Sequence, residues 1–322
     1  MNLKKMIATL AVAACLCATA CSQPQPSSFN ATWRKIALDA NETVEFSGAE
    51  TAEYELSFEK GSNTYYSVNY TNGSYVTSLS SHEGKYLYET TLKADVQYDH
   101  KGEKTSVFHD EITSSVLFES TQKGLAPVRS EKRFAVHVPY QAAPASLGSC
   151  YSEYYYVVKT DYATNVCSTD YFTDATFATP HATFRSTQST FKNDGKYSLV
   201  DNEELYVATR ALKGSGTNTL YVYNTAATKL QKVQVTANSK KSTEFTFEIV
   251  GREATTHTIS YIPYSIAIKE DNPGEPHELW IAETTETTNN EYRNVLLKIK
   301  TPLTYNLGSL IFNLKKVSFL DE

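Results

Sequence analysis

No stretch of this sequence is long and apolar enough to cross a bilayer as a helix. The longest apolar run, Met6–Ala20, would span roughly 22 Å as a helix, short of the ~30 Å hydrocarbon core. The chemistry-bearing motifs are missing too. There is no HExxH, no Walker loop, no GxGxxG, and Gly148-Ser149-Cys150 lacks the spacing of a nucleophile elbow. Lys213-Gly214-Ser215-Gly216 is glycine-rich but follows a predicted helix, whereas a phosphate cradle precedes one, so it reads as a turn. The 7 histidines are scattered singly, none paired at metal-ligand spacing, so neither a metal nor a cofactor is expected. No catalytic constellation stands out, and the expectation is a protein that is not an enzyme. Positive charge is also scarce. The formal net charge is −6, and removal of Lys4 and Lys5 with a leader takes it two lower, to −8. Without a basic stripe to displace counterions, nucleic acid is excluded as a partner.

What is abundant points to β structure. Tyrosine supplies 23 residues against 2 tryptophans, and tyrosine and threonine suit pleated, half-buried surfaces. Alternation dominates from residue 44 onward. Tyr86, Tyr88, Leu92, Ala94, Val96 and Tyr98 fall on one face, with Glu89, Thr91, Lys93, Asp95 and Gln97 on the other. Asp99–Lys104 turns the chain, and Phe108, Ile112, Val116 and Phe118 resume the alternation on a return strand, giving a long antiparallel hairpin. Further strands are predicted at 125–138, 220–223, 230–236, 245–250, 258–268, 278–282, 295–300 and 310–319. One helix is credible: Asp201 as N-cap, Glu203 and Glu204 in the first turn, Leu205, Ala208 and Leu212 at helical spacing, Lys213-Gly214 as the stop. Asn272-Pro273-Gly274 and Asn289-Asn290 read as turns.

The N-terminus carries a basic start, Met1–Lys5, then the apolar run, then Ala18-Thr19-Ala20-Cys21. This pattern resembles a bacterial lipobox, in which small residues precede a cysteine that is acylated and becomes the new terminus. The resemblance implies lipidation at Cys21, although the family prefers leucine where Ala18 stands. Val12-Ala13-Ala14-Cys15 makes Cys15 the alternative, and an ordinary secretory signal cleaved after Ala20 is a third reading. The Pro/Ser/Gln stretch that follows reads as a flexible tether. The expected organisation is a signal peptide at 1–20, a lipidated tether at 21–40 and one β-rich domain at 41–322. The chain is then exported and membrane-anchored, facing the periplasm or the exterior, with the membrane as partner through its acylated cysteine.

Cys150 and Cys167 remain in the mature domain. In an exported protein such a pair usually oxidises, so a disulfide is expected, with two free buried thiols as the alternative. The surrounding segment, 141–196, carries a tyrosine cluster (Tyr151, Tyr154, Tyr155, Tyr156, Tyr162, Tyr171) and reads as an irregular insertion pinned by that bridge. The cluster is either loop packing or an outward sugar-stacking platform.

The C-terminal half carries Val200–Leu205, Arg210-Ala211-Leu212, Glu278-Leu279-Trp280-Ile281-Ala282-Glu283, Leu296–Ile299 and Leu307-Gly308-Ser309-Leu310 between runs of strands. This order resembles the LolA/LolB-like half-barrel periplasmic proteins. The resemblance implies a mainly β fold: a long, strongly curved antiparallel sheet, open as a half-barrel, with one or two short helices. It also implies an apolar concave face that holds a hydrophobic ligand or lipid. Tyr86, Tyr88, Leu92, Phe108, Phe245, Phe247 and Trp280 are the candidates for that face. A structural, adhesion-type or carbohydrate-binding surface lipoprotein is the competing expectation.

Overall fold

The computed structural model describes residues 48–121, 124–186, 197–210, 212, 216–224, 229–269, 275–283 and 294–321. The expectations for Cys15, Cys21, the signal and the tether, and for the turns at 272–274 and 289–290, fall outside them.

The alternating runs form strands: β1 (Gly48–Lys60), β2 (Ser67–His82), β3 (Lys85–His100), β4 (Glu103–Lys104), β5 (Phe108–Thr121), β6 (Gly124–Pro139), β7 (Tyr151–Asp161), β8 (Val166–Phe172), β9 (Ala182–Ser186) and β10 (Leu199–Val200). Helix α1 (Glu204–Arg210) follows. Then come β11 (Gly216–Asn224), β12 (Lys229–Ala237), β13 (Lys241–Ile249), β14 (Thr255–Ile268), β15 (His277–Ala282), β16 (Leu296–Pro302) and β17 (Gly308–Asp321). The β3–β4 turn is built as its residues require: Lys101 and Gly102 take positive φ, and the Gly102 amide donates to Asp99 Oδ1 at 2.9 Å.

All seventeen strands belong to one sheet. Its path runs β9-β8-β7-β6-β5-β3-β2-β1, crosses to β17, and continues β16-β15-β14-β12-β11-β10. Neighbours along this path are antiparallel except β10 and β11. The crossing is a pairing of the first described strand with the last, Gly48 opposite Asp321 through Lys60 opposite Gly308. At one corner the sheet meets itself: β13 prolongs β12 along β14, and its end pairs in parallel with β17 (Glu248 with Lys316, Ile249 with Val317). On the opposite side β10 stands against β6. The result is a mainly β, barrel-like curved sheet: the alternation predicts its strands, and the curvature is what the half-barrel resemblance implies.

Gly308 shows why β17 begins with glycine. Its φ is +131°, and a Cβ there would lie 2.1 Å from the Glu59 carbonyl oxygen.

The enclosed side is filled. Tyr54, Tyr75, Leu79, Tyr86, Tyr88 and Phe118 of one half of the sheet meet Phe247, Ile259, Tyr261, Leu279, Leu297 and Ile299 of the other. Helix α1 lies between them with every residue buried. A second cluster joins Phe134, Tyr156, Val158, Tyr162 and Tyr171 to Tyr223, and a third gathers Tyr66, Val68, Tyr98 and Cys150.

Within the segment expected as an irregular insertion, 151–161, 166–172 and 182–186 are regular sheet. β7 pairs with β6 over its whole length, from Tyr151 opposite Pro139 to Asp161 opposite Arg129, and β8 then pairs with β7. All its tyrosines but Tyr162, which follows β7 in a turn, are strand residues, and Tyr156, Tyr162 and Tyr171 join the core.

The expected disulfide is absent: both thiols are free and buried. The register explains this. Cys150 precedes the first residue of β7, and Cys167 lies opposite Thr160 near its other end. Nine strand residues at ~3.3 Å each separate them by roughly 30 Å, far beyond the reach of a disulfide. Burial pushes the Cys150 thiol up to about 11 and raises Cys167 as well.

Candidate functional site

The interior becomes polar at mid-height. A cross-strand row of Thr90, Ser114 and Lys132 points inward, and these side chains leave room for the start of α1. Lys132 Nζ donates to Asp201 Oδ1 at 2.6 Å and to Asn202 Oδ1. Tyr162 donates its hydroxyl to Asp201 Oδ2 at 2.6 Å. Asp201 also caps the helix as predicted: it accepts the Glu203 amide at 2.9 Å, while Glu204 Oε2 accepts the Asp201 amide at 3.0 Å. At the other helix end Arg210 makes a two-pronged pair with Glu50, and its carbonyl accepts from Asn294.

The electrostatics follow from burial and pairing. Burial alone would raise Asp201, but the adjacent Lys132 ammonium and the hydrogen bonds from Lys132 and Tyr162 carry it below the usual range. Glu203 goes the other way: burial outweighs the pull of Lys132 and lifts it to about 7. Burial also raises Glu204, and its Oε1 has no hydrogen-bond partner.

Among the described residues, two small cavities lie inside the sheet. One of about 80 Å³ is lined by Leu92, Ile112, Val136, Val138 and Leu310, with Asp110 and His137 at its rim. The other, of about 40 Å³, lies between Glu203, Tyr75 and Tyr206. Ligand pockets are typically ~300–1,000 Å³, so neither admits an acyl chain.

The outer face of β3 and β5–β8 forms a groove of about 920 Å³. Its floor is another cross-strand row, opposite in phase to the core: Glu89, Ser115, Glu131, Lys159, Ser168 and Arg185, one each from β3 and β5 to β9. Lys159 and Glu131 form an ion pair at 3.6 Å. Arg129, Arg133 and Asp161 complete its charge, giving four cations and three anions. No carboxylate among the described residues pairs with Arg129 or Arg185. Arg133 stacks over the Phe177 ring, 4.9 Å from its centroid.

No family model matches the chain, and no curated protein matches it. Among solved structures it is similar to a β-barrel-like protein of a domain of unknown function, DUF1849, from Brucella abortus. The two share 11% identity, the match covers 85% of this chain and 99% of that one, and the TM-score is 0.44.

Of the residues expected on one ligand-binding face, Tyr86, Tyr88 and Phe247 lie in the main core with Leu92, Phe245 and Trp280 packed against it, and Phe108 packs on a separate cluster. Tyr86 stacks on Phe118 in the core, and Tyr88 is buried beside it. Phe247 is 1% exposed. Leu92 lines both small cavities. Phe108 lies flat on the His137 ring, with centroids 3.9 Å apart. Trp280 is held between the Tyr261 ring at 4.8 Å and the Lys298 ammonium at 4.1 Å, with Phe245 edge-on to both rings. Leu92 apart, these side chains fill the concavity or cover each other.

The groove and the Lys132 cluster were not anticipated. The available signal was phase: Lys132 is two residues from Phe134 and four from Val136, so it must point inward with them, while Arg129, Glu131 and Arg133 alternate outward.

Proposed function

We propose that this chain is a non-catalytic binding module of the bacterial cell envelope. It is held to a membrane through acylated Cys21 and engages its partner along the outer groove rather than inside the sheet. The observation that carries this reading is the contrast in room: about 920 Å³ outside against cavities of about 80 and 40 Å³ within. The groove holds one net positive charge on a chain of net charge −6. Its Arg129 and Arg185 guanidinium groups are free for planar two-pronged contact with carboxylates. The ligand that fits is an extended polar polymer bearing acidic groups, of which an acidic polysaccharide of the cell surface is the model case.

The test is titration of the purified chain with an oligogalacturonate, beside a neutral oligosaccharide of equal length. Binding of the acidic ligand, weakened about tenfold or more by the double change Arg129→Glu and Arg185→Glu, supports the reading. Equal binding of both ligands, or indifference to the double change, overturns it. Native mass spectrometry of the same sample provides a separate check: a co-purified acyl chain would restore the hydrophobic-carrier reading.

A further inference from the structure

We propose that Lys132 and Asn202 become joined by an intramolecular isopeptide bond that fastens the helix to the barrel wall. The inference does not depend on the groove.

The groups needed are in contact. Lys132 Nζ donates to Asn202 Oδ1, the oxygen on Cγ, which is the carbon an amine attacks. On the far side of the same carboxamide, Asn202 Nδ2 lies 3.5 Å from Glu203 Oε1. Asp201 Oδ1 accepts from the Lys132 ammonium at 2.6 Å. An amine, a carboxamide and two carboxyl groups thus meet in one place, where the Lys132 and Asp201 side chains are 7% and 1% exposed. Tyr162 closes the site from β7's end.

The two carboxyl groups take different parts. Asp201 Oδ1, already accepting a hydrogen bond from the Lys132 ammonium, is the adjacent base to which its proton passes, leaving a neutral amine. The Nζ lone pair then attacks Asn202 Cγ. Glu203, lifted to about 7 by burial, is protonated in a large share of molecules at neutral pH. It gives its proton to Nδ2, which leaves as ammonia when the Cγ–Nδ2 bond breaks, and recovers one from Nζ as the amide forms. The Nζ–Cγ bond replaces the Cγ–Nδ2 bond, one ammonia is released, Glu203 is regenerated, and Asp201 keeps the first proton until solvent or ammonia removes it. No oxidant or co-reactant enters.

The bond would link β6 to the first turn of α1 across 70 residues of chain. It would do so in a domain whose two cysteines stand too far apart to form a disulfide.

The test is proteolysis of the denatured full chain followed by mass spectrometry. The expected product is one branched peptide that joins the Lys132 and Asn202 segments and is lighter than their sum by one ammonia, with no tryptic cut after Lys132. Complete recovery of the two linear peptides, cut after Lys132, overturns the proposal. A branched peptide lighter by one water overturns Asn202 as acceptor and assigns the bond to Asp201. Glu203→Gln should slow formation by about 100-fold, read as branched peptide against time after refolding; an unchanged yield removes Glu203 from the step. Should that variant not fold, Asn202→Ala retains the Lys132–Asp201 pair and must give only linear peptides.

Discussion

Arg210 donates two hydrogen bonds of 2.7 Å each to the two carboxylate oxygens of Glu50, a residue 160 positions earlier in the chain. Both side chains are 7% exposed, and the pair ties the end of α1 to β1 inside the sheet. Burial disfavours the Arg210 charge, but Glu50 more than restores it, so the guanidinium is held above its ordinary value. Removing one partner leaves the other charge buried and unpaired. Glu50→Gln or Arg210→Met is therefore expected to cost about 3–5 kcal/mol, and the double replacement by apolar residues less than the sum of the two. Urea unfolding of the three variants measures this; additive costs would contradict it.

Thiol chemistry checks the separation of Cys150 and Cys167. In the domain from Ser22 onward, alkylation without reductant should modify neither thiol in the native state and both after unfolding. Burial excludes the reagent from both side chains and keeps them protonated. Protection of the pair in unfolded, unreduced chain would reveal a bridge.

Two buried groups set opposite pH dependences. Glu203 has a folded pKa raised to about 7 from 4.5, so the folded state binds its proton more tightly. Its contribution is complete below pH 4.5 and is lost as pH rises towards 7, on the order of 2–3 kcal/mol. His277, buried beside Thr301, is lowered to about 4 from 6.5. It titrates in the other sense: its contribution is present above pH 6.5 and lost as pH falls towards 4. Stability curves of Glu203→Gln should lose the descending limb, and those of His277→Gln the acid limb.

Phe247 and Gly308 test the packing. Phe247→Ala should cost about 3–5 kcal/mol, because the ring is fully enclosed where the two halves of the sheet meet. Gly308→Ala should cost about 2 kcal/mol or more, since its methyl group would run into the Glu59 carbonyl and its φ is one that L side chains avoid. Thermal unfolding reads both. A neutral Gly308→Ala would mean that β1 and β17 part easily at that end.

Local pattern carried much of the fold. The alternation of Tyr86 to Tyr98 became β3, the predicted strand at 258–268 became β14, and Asp201 caps α1. Each depends on neighbours in sequence, and periodicity reports neighbours. The non-local relations were not legible. Cys150 and Cys167 looked close because the chain between them is short, yet that chain runs out along β7 and only partly returns. The tyrosines at 151–171 looked like loop because so many are crowded together, whereas the pairing of β7 with β6 and β8 sorts those of the strands to two faces. The groove was hidden for another reason: Arg129, Lys159 and Arg185 resemble any solvated strand face until four strand pairings place them side by side.

The pairing of β1 with β17 has a consequence for how the molecule is made. A ribosome finishes Gly48–Lys60 long before Gly308–Asp321 exists, so the two middle rows of the sheet cannot meet until β17 has been made. Pairing between segments so far apart in sequence is the kind of contact that slows folding. Until β17 arrives, β1 has only β2 beside it, and its other edge stays open.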